Sequence, residues 1–312
     1  MARLGWAGAI ELKSVHKALP DMKTTKQMDR PTIGVIGGSG LYEMEGLARV
    51  KQVRVTTPFG PPSDAFVVGD LEGARVAFLA RHGRGHRISP SEINYRANIY
   101  AMKKLGVERV LSVSAVGSMK EALHPGHVVI PNQFFDMTKR RLGTFFDRGI
   151  VAHVALADPV CHDLAGHLAQ AARHQGATVH EGGVYLCIEG PQFSTRGESL
   201  VFRQWGVDVI GMTNMPEAKL AREAGLCYAT MALVTDYDCW HAGHDAVTVE
   251  AIIETLHKNV ALSRRVLRSV VPMLTGDRKC GCAAALKNAV LTSKIPASAR
   301  KRLHLLLGKQ DA

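Results

Sequence analysis

The chain has 312 residues, 46% of them hydrophobic and 21% charged, which excludes a disordered or fibrous chain and supplies ample material for a large core. Its formal charge of +11 raises a nucleic-acid reading, but much of the excess sits in the first thirty residues and in the tail from Arg278, and the loop arginines between suit small anions. There is no run of eighteen or more apolar residues, and Met1 to Arg30 lacks the apolar stretch of a secretory signal, so the expectation is a cytoplasmic protein with neither membrane nor nucleic acid as partner.

Residues 1–30 hold no sustained period and read as a poorly ordered leader. From Thr32 the pattern changes: Ile33-Gly34-Val35-Ile36 is a short apolar run closed by Gly37-Gly38-Ser39-Gly40, as expected of a buried strand feeding a loop that an anion can approach. Further strand-like runs lie at 65–69, 75–80, 107–116, 127–130, 183–188, 207–212 and 226–235. Helical patterns fall at 91–105, at 158–175 with Asp158-Pro159 as cap and first-turn proline, and at 195–205, 216–224 and 248–272. The turn residues between Val67 and Val76 predict an antiparallel hairpin. In the last long helix Val249, Ile252, Ile253, Leu256 and Val260 share one face, either core or pocket wall.

The alternation predicts an α/β fold: one domain over 31–274, with a central mixed, distorted sheet flanked by helices. Thr275-Gly276-Asp277 reads as a linker to a basic tail over 275–312, with a short helix near 297–307. The six cysteines are scattered and read as small buried hydrophobes. Cys280-Gly-Cys282 alone suggests a strained redox pair or two metal ligands, but no second Cys/His pair at zinc spacing accompanies it, so no metal site is expected.

Four segments carry chemistry. Gly37-Gly38-Ser39-Gly40 offers backbone N–H groups and a hydroxyl, without the later glycine or Gly-Lys of a dinucleotide fingerprint or P-loop. Arg81-His82-Gly83-Arg84-Gly85-His86-Arg87 packs three arginines and two histidines into seven residues after a strand, where glycines let the backbone fold around a ligand and Arg supplies a fork matched to phosphate. Ser114-Ala115-Val116-Gly117-Ser118 is a small-residue loop at another strand's carboxyl end, where ligands of open α/β sheets gather. In Thr235-Asp236-Tyr237-Asp238-Cys239-Trp240 two carboxylates stand at i and i+2; their spacing alone leaves metal ligation (with His241 or His244), turn formation and acid chemistry open.

Gly37-Gly38-Ser39-Gly40-Leu41, Arg81-His82-Gly83, Asn94-Tyr95-Arg96-Ala97-Asn98, Glu189-Gly190-Pro191-Gln192-Phe193, Gly211-Met212-Thr213 and Thr235 to Trp240 occur in the order of the methylthioadenosine phosphorylases, which the chain resembles from about Thr32 to Leu274. These belong with the trimeric branch of the purine nucleoside phosphorylases. The resemblance implies that Ser39, Arg81, His82, Ser114, Ala115 and Thr213 hold phosphate, that Met212 contacts the ribose, and that Phe193 stacks on the base. It further implies that Asp236 shares a proton with purine N7 and that Asp238 accepts from the 6-amino group. A carboxylate meets a 6-oxo group lone pair against lone pair, which favours adenine.

The expected reaction is phosphorolysis with phosphate as co-substrate and no metal or organic cofactor. Burial is expected to raise the pKa of Asp236 so that it keeps a proton to donate. Val249 and Ile252 would form the apolar wall for a 5'-methylthio group, with His153 and Ile295 reaching in from a neighbour in a homotrimer. A methylthioinosine or general 6-oxopurine phosphorylase is the alternative reaction, and a non-catalytic nucleotide-binding protein the alternative class.

Overall fold

The computed structural model describes residues 30–38, 41, 44–241 and 249–308; side chains are described for the long helix only at Thr255 and from Lys258 onward. The leader, apart from Arg30, therefore lies outside the described residues, as do Ser39, His244 and the side chains of Val249 and Ile252.

Eleven strands form one mixed sheet: β1 (Ile33–Gly37), β2 (Ala48–Val53), β3 (Phe66–Leu71), β4 (Ala74–Ala80), β5 (Arg109–Ser118), β6 (Val128–Ile130), β7 (Gln133–Asp136), β8 (Val179–Glu181), β9 (Val184–Cys187), β10 (Val209–Gly211) and β11 (Cys227–Asp236). The order runs β2-β3-β4-β1-β5-β10-β9-β7, with β11 also pairing β5 and leading to β6 and β8. The expected α/β fold with a mixed, distorted sheet is thus the one observed. The hairpin forms as β3–β4, with Val67 opposite Phe78 and Leu71 opposite Ala74.

Six α-helices are described: α1 (Tyr95–Leu105), α2 (His162–His174), α3 (Arg196–Gln204), α4 (Asn214–Glu223), α5 (Val249–Val270) and α6 (Ala297–Leu307). Strand alternation divides the core. On β11, Tyr228, Ala232 and Val234 join a cluster with Ile99 and Met102 of α1, Leu220 of α4 and Leu303 of α6. The residues between them, Cys227, Ala229, Met231 and Leu233, pack with Leu164 and Leu168 of α2 and Val266 and Val270 of α5. Both faces of β11 are therefore apolar, as a parallel central strand covered by helices requires. The tail continues from the domain without a break in packing, since Ala299, Leu303 and Leu306 are buried in the first of these clusters.

Two element boundaries differ from expectation. The α2 helix starts at His162, with Cys161 as its cap, because Cys161 N–H is spent on Tyr228 O at 2.9 Å and Asp158-Pro159 stays outside. The α1 helix starts at Tyr95, capped by the Asn94 side chain accepting from Ala97 N–H at 3.1 Å.

The distortion of the sheet makes the ligand slot. On one edge β5 pairs with β1 only as far as Ser112, opposite Ile36, and then with β10 from Gly117, opposite Ile210. Among the described residues no strand pairs with 113–116 on that edge, so this stretch of β5 opens onto a cavity.

Candidate active site

The cavity has a volume of about 400 Å³ and is lined by the carboxyl ends of β1, β4, β5, β10 and β11. Of the sequence-predicted residues it brings together Arg81, His82, Ser114, Ala115, Phe193, Met212, Thr213, Asp236 and Asp238. Gly38 and Leu41, which bracket the segment holding Ser39, line it too.

At the anion end, Ser114 Oγ and Thr213 Oγ1 lie 3.2 Å apart, with the Tyr185 hydroxyl 3.1 Å from Ser114 Oγ. Ala115 is exposed into the gap. His82 is buried on the same side, and its Nδ1 is 2.9 Å from Ile88 O, a contact that assigns the proton to Nδ1 and leaves Nε2 as an acceptor. Burial, with Arg81, His86 and Arg141 adding repulsion and the Ile88 contact opposing, lowers the His82 pKa to about 4.

A neutral buried His has a consequence for stability. Its folded pKa of about 4 lies below the ordinary 6.5, so its contribution is present above pH 6.5 and is lost as pH falls through 4. That window is worth up to about 3 kcal/mol. In phosphate-free buffer, urea unfolding should show this loss in the wild type and a flatter profile in His82→Asn, whose amide can still donate to Ile88 O; equal profiles would refute it.

Arg81 is placed differently from a simple phosphate fork. Its Nε and Nη2 donate to Glu217 Oε2 and Oε1 at 2.8 and 3.0 Å. The remaining bonds run from Nη2 to Ser112 Oγ at 2.7 Å and to Ile36 O at 3.3 Å, and from Nη1 to Val113 O at 3.0 Å. Both charged partners are buried, with side chains 2% and 0% exposed. The fork thus grips a carboxylate and fixes the ends of β1, β4 and β5, while Arg81 also lines the cavity.

At the opposite end, Asp236 closes β11 opposite Gly117 of β5, after a register shift beyond Val234. Gly117 is required here, since a Cβ would come within 2.8 Å of Asp236 Oδ1. Asp236 accepts from Thr235 Oγ1 and from Asp238 N, both at 2.7 Å. Burial raises its pKa despite these two bonds, and the Asp238 charge adds to the rise.

Asp238 starts a short 3-10 turn with φ 53°, pinned by Trp240 Nε1 donating to Ser118 O at 2.7 Å. Its carboxylate accepts from Ser194 Oγ at 2.7 Å and Ser199 Oγ at 2.5 Å. The α3 helix aims Ser199 there, because Thr195 caps it in a reciprocal box with Glu198. The metal reading of the acid pair finds no support in the described geometry: His241 Nε2 faces Glu121 at 3.2 Å and His244 lies outside the described residues.

Phe193 stands at the mouth, 57% exposed. Met212 lines the same cavity, its carbonyl accepting from Arg141 Nη1 at 2.7 Å. Sequence reasoning missed Arg141. Its buried guanidinium also donates to Met215 O at 2.6 Å and Glu189 O at 2.6 Å, tying the loop after β9 to the loop after β10. It missed Glu217, Ser194, Ser199 and Tyr185 as well; of these only Ser199 had a signal, the Thr-x-x-Glu box that fixes where α3 begins.

His153 and Ile295 do not line the cavity of their own chain. His153 is exposed, its backbone N–H bonded to Ala289 O at 2.8 Å, and Ile295 packs partly buried on the core. Cys280 and Cys282 have no second pair at zinc spacing in the sequence, but the fold brings two single cysteines to them. Cys161 and Cys227, far apart in sequence, converge on them with all four sulfurs within 4.8 Å of one another.

Among the described residues no helix is long and apolar enough to cross a membrane. The phosphorylase superfamily profile matches residues 32–272. An S-methyl-5'-thioadenosine phosphorylase of Geobacter sulfurreducens is 60% identical over 279 residues, 88% of this chain and 98% of the relative. One from Koribacter versatilis is 57% identical, covering 89% and 96%. Among solved structures, a methylthioadenosine phosphorylase from an antarctic soil metagenomic library superposes with a TM-score of 0.86 at 49% identity, covering 90% of this chain and 100% of that one. The Schistosoma mansoni methylthioadenosine phosphorylase in complex with adenine superposes with a TM-score of 0.75 at 38% identity, covering 83% and 96%.

Proposed function

The chain belongs to the phosphorylase superfamily, among the S-methyl-5'-thioadenosine phosphorylases, and on that premise we propose that it cleaves 5'-deoxy-5'-methylthioadenosine with inorganic phosphate to adenine and 5-methylthioribose 1-phosphate. The observation that carries this reading is the placement of two carboxylates, Asp236 and Asp238, across one cavity from the hydroxyls of Ser114 and Thr213 and the ring of His82.

On this reading phosphate is held by Ser114, Ala115, Thr213, His82 and Arg81, with Ser39 as a further hydroxyl donor. A phosphate oxygen attacks C1' as the C1'–N9 bond breaks through an oxocarbenium-like sugar, and the bonding pair leaves with the base. Asp236 gives N7 its proton. The balance is closed by hydrogen phosphate, which loses its one P–OH proton on becoming the sugar 1-phosphate. Neutral His82, with Nε2 as acceptor, is suited to receive that P–OH, and solvent exchange returns the proton to Asp236. Every proton is thus carried by the chain, its co-substrate or solvent, and on this reading the reaction needs no metal or organic cofactor.

Asp238 selects the base: its oxygens accept from the adenine 6-amino group in a position held by Ser194 and Ser199. Phe193 covers the ring, Met212 the ribose, and the apolar Leu41, Leu233 and Val260 supply wall for the methylthio group together with Val249 and Ile252. Copies of the chain assemble into a closed homo-oligomer, a trimer on this reading. Support comes from exposed Val151 and Leu291, 50% and 64% accessible and bonded to each other beside His153, a patch a neighbour would cover. On the same reading the enzyme works in the cytoplasm.

The test compares methylthioadenosine, methylthioinosine, adenosine and inosine, with and without phosphate, in the wild type and Asp238→Asn. The expected result is phosphate-dependent cleavage of methylthioadenosine, and in the variant a relative gain of about tenfold to a hundredfold for the 6-oxo substrate over the 6-amino one. A wild type that prefers methylthioinosine would overturn the role given to Asp238. No cleavage of any of the four would overturn the enzyme reading.

A further inference from the structure

We propose that Cys161, Cys227, Cys280 and Cys282 form a tetrathiolate site for one zinc ion, which fastens the C-terminal tail to the catalytic domain.

Each cysteine comes from a different piece of the fold, or from opposite ends of one tight turn. Cys161 caps α2, Cys227 opens β11, and Cys280 and Cys282 flank Gly281 where the tail enters a 3-10 turn, Gly281–Ala284. Tetrahedral zinc with Zn–S bonds of about 2.3 Å sets its sulfurs about 3.8 Å apart. Here all four lie within 4.8 Å of one another, and Cys227 and Cys280 are 3.3 Å apart. Every sulfur is in reach of the other three, so a single ion can draw on all four.

The scaffold behind the sulfurs is fixed. Cys161 N–H binds Tyr228 O and Cys227 N–H binds Glu108 O, both at 2.9 Å, while Arg278 Nη1 donates to Gly225 O at 2.8 Å and draws the tail against the start of β11. Cys161, Cys227 and Cys282 are buried and Cys280 is partly so, leaving an approach on the tail side. Four thiols binding one zinc ion release four protons and leave a net charge of −2. Arg222 Nη1, 3.8 Å from Cys282 Sγ, and the N-terminus of α2 behind Cys161 offset it.

The site is structural. It stands at the opposite end of β11 from Asp236, about 30 Å away along a strand of that length. It clips down a tail that then pairs Val290 with Ala152 and buries Leu303 and Leu306. The soft all-sulfur donor set selects zinc over magnesium or calcium.

The full-length protein, purified without chelator from zinc-supplemented cells, should carry one zinc per chain by elemental analysis and native mass spectrometry. Replacement with cobalt should give the charge-transfer and red ligand-field bands of a tetrathiolate. Cys161→Ser and Cys282→Ser should lose the metal, and Cys239→Ser, outside the cluster, should keep it. Chelation should lower the melting temperature and zinc restore it. If the serine variants do not fold, the wild-type cobalt spectrum and metal mass decide the question alone. Wild type that takes up neither zinc nor cobalt would overturn the site. So would zinc that survives Cys282→Ser, or a mass deficit of four hydrogens showing two disulfides.

Discussion

Asp236→Asn is expected to lower kcat for methylthioadenosine phosphorolysis by about a hundredfold to ten-thousandfold at neutral pH, the range for loss of a positioned general acid. The substitution is close to isosteric. An Asn carbonyl in place of Oδ1 still accepts from Asp238 N, and the amide can still hydrogen-bond N7, but no proton can be passed. KM for phosphate should hold, because Asp236 lies across the cavity from Ser114 and Thr213 and touches neither.

The pH profile separates proton donation from simple positioning. Burial raises the Asp236 pKa above its ordinary 3.8, so the protonated, competent form is lost as pH climbs through that raised value. The wild-type kcat/KM should therefore fall along a limb on its alkaline side that Asp236→Asn lacks. If both enzymes share the same limb, or the variant loses less than about tenfold, the acid role given to Asp236 by general-acid reasoning fails.

The parts of this chain legible in its sequence are those whose signal is local. The apolar runs of β1, β5 and β11 announce buried strands, the glycines between Val67 and Val76 announce the β3–β4 hairpin, and helix 297–307 appears as α6. Strands β2, β7 and β8 were invisible for the same reason. β2, Ala48–Val53, is almost wholly exposed and alternates nothing, so its place at the sheet edge is decided by pairing with β3 alone. The site loops were legible because glycine, arginine, histidine and paired acids are concentrated in them.

Residues that act through distance left no mark. Glu217 reads as one more solvated acid in Met215-Pro216-Glu217-Ala218-Lys219, and acquires meaning only by meeting Arg81, 136 positions earlier. Arg141 is one of three consecutive basic residues and is distinguished only by the four carbonyls around it. The four cysteines show the same limit from the other side. The Cys-Gly-Cys pair was visible, and its partners were two single cysteines whose apolar neighbours made them look like filling.

The Arg81–Glu217 pair carries the largest expected effect on stability. Burial alone would lower the Arg81 pKa, and Glu217 more than reverses it, keeping the cation charged out of water. Glu217 also accepts from Tyr228 Oη at 2.9 Å, so its loss strands two donors. Glu217→Gln leaves an uncompensated buried charge, and should cost about 3–5 kcal/mol in urea unfolding. The double variant Arg81→Met, Glu217→Leu removes both charges and fills the space, and so should recover most of that stability, since buried ion pairs gain little over well-packed apolar residues. Its KM for phosphate should nonetheless rise above the wild-type value, because the Arg81 cation that lines the cavity is gone. A double variant as unstable as Glu217→Gln would show that the pair is held by packing around Tyr228 instead of by charge. One with both stability and normal phosphate KM would remove Arg81 from the anion site.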